Sequence, residues 1–305
     1  MPADPGEPHR APRPAGRATT GPLPGVRLPE RLARSDEQVR LLARVQTFFA
    51  DQGLLVEEQP LERCCPACEL CWRPPRGRQP VPPPDGQQPR LPALGAAYPQ
   101  TRVALVGMNS RDDGRQDAEL RALAHSQHDF RHGHASHNDE KRSYFHYRAA
   151  STLAAVLALR DRQPAHERPA PHTLIPVLDR CARLQAVQCS PWDGGRRSPM
   201  ERMGRNCQPY LAGQLEILRP DALVLLGVPP RRSIERLTQP QWTTVDGLRT
   251  ASTDRFAWNR SVALYALPHP AAGSWHRAHR ALVRLANANA NANANASAGA
   301  RSAQH

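Results

Sequence analysis

The chain is expected to fold as an α/β three-layer sandwich around a central, mostly parallel four-stranded sheet, with disordered tails. Three observations carry this expectation. Four short apolar runs, Arg102 to Gly107, Leu184 to Val187, Ala222 to Leu226 and Val262 to Leu267, show no polar alternation. Such runs suit strands covered on both faces. Segments with helical spacing lie between them, so the order alternates strand and helix. The tails are compositionally unlike the middle: Pro-, Arg- and Gly-rich up to about residue 34, and alternating Ala and Asn from Ala286 to Ala296. These boundaries divide the chain into a tail over 1–34, one domain over 35–286 and a low-complexity tail over 287–305.

The elements follow in order. Ser35-Asp36-Glu37-Gln38 reads as a capping box, in which the Ser35 hydroxyl accepts an orphan amide and Gln38 reaches back. The helix behind it carries Leu41, Leu42, Val45, Phe48 and Phe49 on one face, and Gly53 is a suitable stop. Cysteines crowd 64–71, and 73–97 is a Pro/Gly-rich loop. The first strand ends at Gly107. A polar, His-rich stretch covers 111–146, with His125, His128, His132, His134 and His137 close together but at no strict ligand spacing. Ala149 to Leu159 is a good helix former, and 161–172 reads as a loop. Tyr210, Leu211, Leu215 and Leu218 recur at helical spacing, and Pro220 closes that helix. A last helix is expected from about Gly273 to Ala286, through Trp275, Leu282, Val283 and Leu285.

Composition narrows the function. There are 41 Lys+Arg against 28 Asp+Glu, a formal charge of +13, and nearly all of the positive charge is Arg. Arginine suits bidentate phosphate contacts, so a polyanionic partner is favoured over a neutral one. Free use of Arg across the whole sequence is the competing explanation. No apolar run approaches the roughly 20 residues that span a bilayer. The N-terminus lacks a secretory apolar core. Seven cysteines without such a signal suggest ligands or core thiols in a reducing compartment. A cytoplasmic, monomeric protein with no membrane association is expected.

Cys65 and Cys68 form a CxxC near the start of the domain, and Cys189 and Cys207 follow more than a hundred residues later. Four thiolates can hold a 4Fe-4S cluster or a structural zinc, and spacing does not separate the two. Cys64 and Cys71 are rival ligands, whereas Cys181 sits in an apolar stretch and reads as a core thiol.

Ligands of open α/β sheets bind beyond the carboxyl ends of the strands. Gly107-Met108-Asn109-Ser110, Gln188-Cys189 and Pro268-His269-Pro270 all stand at such ends. Taken together, these residues resemble the uracil-DNA glycosylase superfamily, particularly its iron–sulfur branch, families 4 and 5. The resemblance covers roughly 40 to 285. It rests on Cys65/Cys68 with Leu70, on Cys189/Cys207 flanking an Arg- and Pro-containing loop, and on the helix and strand that follow as far as Gly227. His269-Pro270-Ala271 completes it. Gly107-Met108-Asn109-Ser110 departs from the branch's Gly-Glu-x-Pro-Gly and is closer to the Gly-x-Asn-Pro of the mismatch-specific and single-strand-selective branches. Gln185 or Gln188 stands where the branch places a base-reading Asn. Its stacking Phe motif is absent, with Tyr144, Phe145 or Tyr147 as substitutes.

The resemblance implies hydrolysis of the N-glycosidic bond of uracil or another damaged base in DNA, single-stranded or damaged, by a cluster-containing enzyme. That reaction needs a stabilised leaving base and a positioned water rather than a covalent nucleophile. His269, between two prolines, could donate to a base carbonyl, and Asn109 could hold the water. Gly107, Met108 and Gln185 would line the base, and Arg196 and Arg197 would hold phosphates. The alternatives are a non-catalytic nucleic-acid-binding relative with a structural cluster and a zinc-stabilised binding protein.

Overall fold

A computed structural model describes residues 35–54, 71, 91–107, 140–188, 200–256, 258 and 261–302. Its strands are β1 (Ala93–Leu94), β2 (Val103–Gly107), β3 (Cys181–Gln185), β4 (Ala222–Leu226), β5 (Thr243–Val245), β6 (Leu248–Thr253) and β7 (Val262–Leu267). Its helices are α1 (Asp36–Asp51), α2 (Tyr98–Thr101), α3 (Glu140–Asp161), α4 (Pro171–Asp179), α5 (Met200–Asn206), α6 (Gln208–Leu218), α7 (Val228–Thr238) and α8 (Trp275–Ser302).

The sheet order is β1-β3-β2-β4-β7-β6-β5. The four strands expected from apolar runs are the parallel centre, β3-β2-β4-β7. The sheet is nevertheless wider than four strands. β1 pairs antiparallel with β3 at one edge, and β6 and β5 continue antiparallel from β7 at the other. The third expected strand starts earlier than Leu184, at Cys181. The Cys181 thiol is fully buried, and burial pushes its pKa up to about 12, which keeps it a neutral core group.

Alternation along each strand divides the core in two. Ala104, Val106, Leu223 and Leu225 face α1, α5, α6 and α7, against Val45, Phe49, Met203, Leu211 and Ile234. Val103, Leu105, Val224 and Leu226 face α3, α4 and α8, against Leu153, Leu174, Trp275 and Leu282. Helix, sheet and helix are therefore stacked as three layers, as the strand patterns require.

Local details refine the expected ends. The Gln38 amide N–H donates to Ser35 Oγ at 3.2 Å, which is one half of a capping box. The other half is missing, because the Gln38 side chain is buried and donates instead to the Leu94 carbonyl at 2.7 Å, tying α1 to β1. Pro171, expected in a loop, occupies the first turn of α4, where a missing N–H costs little.

The largest departure is at the C-terminus. The Ala-Asn repeat, expected outside the domain, continues α8 as far as Ser302. Asn287 accepts from Ala165 N at 2.7 Å and donates to Ala165 O at 3.2 Å. Asn289 donates to Leu159 O at 2.9 Å, and Asn293 accepts from Arg162 at 3.2 Å. Alanine supplies helix propensity while asparagine side chains satisfy the polar backbone where α3 ends.

Candidate active site

The parallel strands fix where chemistry can occur. From β2 the chain crosses to β3 on one side, then returns past β2 to β4 on the other. That reversal opens a crevice beyond the carboxyl ends of β2 and β4. Register brings the ends level: Gly107 pairs with Gln185, and Leu226 with Leu267. Gly107, Gln185, Gly227 and His269 therefore occupy one rim of the sheet.

On the β2–β3 side, Ala186 N donates to Gly107 O at 2.8 Å, which turns the chain out of β3. A Cβ at Gly107 would meet Gln185 Oε1 at 3.2 Å, so glycine lets this amide lie close over the backbone. Gln188 is buried and donates to Gln185 O at 2.7 Å. The Oε1 atoms of both glutamines are buried and accept no hydrogen bond among the described residues. Two side-chain acceptors thus stand beside the rim.

On the β4–β7 side, Gly227 has φ +96°, a left-handed conformation that favours glycine. Its N–H donates to Leu267 O at 2.9 Å, and a Cβ there would lie 3.5 Å from His269 Cβ. His269 is half-buried. Its Nδ1 accepts from Ala271 N at 3.1 Å, and its carbonyl accepts from Ala272 N at 2.8 Å. The first bond sets the tautomer: with Nδ1 accepting, the neutral ring carries its proton on Nε2. The Phe145 ring of α3 lies 5.3 Å from the His269 ring, tilted by 36°.

Arg148, one turn after Phe145 on α3, supports this corner. It donates to the Pro270 carbonyl and, at 3.0 Å, to His276 Nε2. Its guanidinium also sits 5.3 Å from the Trp275 ring centre. Trp275 stacks in turn on buried His279, at 4.5 Å and 11°. Burial lowers the His279 pKa to about 4, and burial with neighbouring arginines lowers that of His276.

Among the aromatic candidates, Phe145 is the one that touches His269. Tyr147 donates to Pro169 O at 3.0 Å and packs into the α3–α4–α8 layer. The side chain of Tyr144 is outside the described residues, as are Met108, Asn109, Arg196, Arg197, the five histidines of 125–137, Cys64, Cys65, Cys68 and Cys189.

Two cysteines of the candidate metal set and its rivals are described. Cys207 is buried at the start of α6, where the helix dipole favours a thiolate. Cys71 is also buried, and its sulfur accepts from Asn206 Nδ2 at 3.2 Å. The early cysteine segment therefore reaches the residue next to Cys207, which fits a metal centre bridging both segments. No group of three His, Cys, Asp or Glu is gathered as a metal site among the described residues.

A sequence profile of the Uracil DNA glycosylase superfamily matches residues 121–292, more than half of the chain. The chain belongs to that superfamily, and its sandwich with a parallel centre is consistent with it. Membership supports a DNA glycosylase-like function with DNA as the partner. The chain is also similar to the Type-4 uracil-DNA glycosylase of Archaeoglobus fulgidus, 30% identical over 86 residues. The match covers 28% of this chain and 42% of the relative, so it spans less than half of that protein. No described helix is long and apolar enough to cross a membrane.

Two residues of the site carried no advance signal. Arg148 and Asn206 were one arginine and one asparagine among many, and only the packing of α3 and α5 gives them a role. Gly227 was visible as the end of an apolar run, but its closeness to His269 depends on β4–β7 pairing.

Proposed function

We propose that the chain is a DNA glycosylase that hydrolyses the N-glycosidic bond of uracil or another damaged base, acting as a cytoplasmic monomer on single-stranded or damaged DNA. The observation that carries this reading is the His269 tautomer. A proton held on Nε2, at the rim where strand ends converge, is a hydrogen-bond donor for the carbonyl oxygen of a departing base. In the transition state negative charge grows on that base, and a donor that does not have to reorient stabilises it without reorganisation. Gly227 allows the ring to approach the sheet, and Phe145 offers an apolar face on which an extruded base could stack.

The remaining roles extend the same reading. Gln185 reads the base edge beside Gly107 and Met108. Asn109, two residues beyond β2, positions the water, and Arg196 and Arg197 hold the flanking phosphates. Cys65, Cys68, Cys189 and Cys207 would hold a 4Fe-4S cluster, a structural zinc being the other group such thiolates accept. When bound, the cluster would cross-link the two ends of the domain. The contact between Cys71 and Asn206 supports this convergence.

The test is base release from a single-stranded oligonucleotide carrying one uracil, with protein purified without oxygen and assayed for iron and sulfide. Release is expected from the unaltered chain, with at least a hundredfold loss in His269→Ala, in line with removal of a positioned transition-state donor (roughly 10²–10³ in rate). Equal release by both proteins would remove His269 from the mechanism. No release from any damaged-base substrate, with DNA binding retained, would make the chain a binding protein.

A further inference from the structure

A second charged site lies at the opposite end of the sheet. Arg40 and Arg44 are four residues apart on α1 and so share one helical face. Arg102 ends α2 and Arg219 ends α6, in left-handed conformations with φ +50° and +52°. Glycine or asparagine is the usual choice there. The two arginines lead into β2 and β4, which are neighbours in the sheet, so their side chains reach the same place. Together the four line a groove of about 440 Å³ with Glu37, Leu41 and Ile217.

The groove is short of negative charge. Glu37 is its one carboxylate and pairs with Arg102 at 3.2 Å. Arg40 and Arg219 each bond a backbone carbonyl through Nε, at Asp36 and Glu216, both 3.3 Å. Among the described residues no carboxylate pairs with Arg40, Arg44 or Arg219. Helix capping accounts for part of this: Arg102 also reaches Leu218 O at 3.4 Å. It does not account for Arg40 and Arg44, which come from a different helix and converge on the same groove. Like charges gathered without counter-ions are stabilised by an anion that binds several guanidiniums together.

We propose that this groove is a second, sequence-independent contact for the phosphodiester backbone of a nucleic-acid strand. The choice of nucleic acid rests on the superfamily's substrate; the groove itself rests on the arginine geometry. β2 separates Arg102 from Gly107 by five residues, or roughly 16 Å. A strand of several nucleotides held at the His269 rim could therefore continue into the groove, whereas a trinucleotide could not reach it. The groove adds affinity for long strands and no base preference.

The test is fluorescence anisotropy of an undamaged oligothymidine 20-mer and trimer over a range of KCl, with the unaltered full chain and with Arg40→Gln/Arg44→Gln. Gln keeps helix propensity, and both side chains are exposed, so an unchanged melting temperature is expected. Removing two phosphate contacts should reduce the salt slope of 20-mer binding by about 1.4, at about 0.7 per contact for single strands, and leave trimer binding unchanged. An unchanged slope overturns the proposal, as does a lack of 20-mer binding by the unaltered chain. Loss of binding to phosphatidylserine vesicles with 20-mer binding intact would also overturn it, by assigning the groove to lipid headgroups. The probe contains no uracil, so this result is independent of whether the chain releases a base.

Discussion

Arg148→Met separates the support of the catalytic corner from its chemistry. The substitution keeps much of the side chain's length and apolar stem and removes the guanidinium. Three contacts go with it: the bond to the Pro270 carbonyl, the bond to His276 Nε2 at 3.0 Å, and the position 5.3 Å from the Trp275 ring. A charged donor on a carbonyl is worth about 1.5 kcal/mol at the low end suited to a half-exposed group. A partly exposed cation–π contact adds about 0.5 kcal/mol. Some 2 kcal/mol therefore favours the observed His269–Pro270 turn, and its loss lowers occupancy of that turn by up to about 30-fold. Because His269 is proposed to act on charge that develops in the transition state, kcat for base release should fall by roughly 10- to 30-fold with KM little changed. Steady-state release from a uracil oligonucleotide and a parallel melting curve read the two effects apart. Arg148→Lys, which retains a cation that can reach one acceptor, should recover part of kcat. A variant with lowered melting temperature but unaltered kcat would refute the reasoning, since Arg148 would then stabilise the fold without positioning the histidine.

Two further outcomes follow from the same corner and its support. Gly227→Ala places a methyl 3.5 Å from His269 Cβ at φ +96°, so thermal unfolding should show a loss of about 1–2 kcal/mol and base release should slow. His279 titrates near 4 in the fold against 6.5 unfolded, so the unfolded chain binds the extra proton first. Stability from this group is present above about pH 6.5 and declines towards pH 4, by up to about 3 kcal/mol. Denaturant melts across that range should show the decline, and His279→Leu should flatten it.

The parallel centre of the sheet was legible because its strands are covered on both faces and so read as continuous apolar runs. Ala222 to Leu226 and Val262 to Leu267 are found at the expected residues. The flanking strands had no such pattern. β6 is Leu-Arg-Thr-Ala-Ser-Thr, and its strand state comes from pairing with β7 rather than from its own apolar content. A turn signal was present, since Asp246 and Gly247 are both left-handed, as a tight hairpin turn requires. α7 begins Val-Pro-Pro, which resembles a loop until both prolines are seen in the first turn. The Ala-Asn repeat reads as low complexity because its partners, Leu159, Arg162 and Ala165, lie over 120 residues away. His269 was legible from two prolines beyond a strand. Phe145 was not separable from Tyr144 and Tyr147 by sequence, because the face of α3 that meets His269 depends on how that helix crosses the sheet.

The division of the rim has a consequence for what controls the chemistry. β2 and β3 carry the amides of Gln185 and Gln188, while β4 and β7 carry Gly227 and His269. The two halves meet through the β2–β4 pairing, Val106 opposite Leu225. A one-residue slip there would turn every side chain of one half to the other face of the sheet. Both faces of these strands are buried, so such a slip would also exchange the residues facing two different helical layers. The core thus enforces the register that sets the base-reading half against the proton-donating half. Core substitutions such as Val106→Ala or Leu225→Ala should therefore reduce stability before they alter base preference. Preference should follow Gln185 and Gln188, whose buried Oε1 atoms are the acceptors nearest the rim.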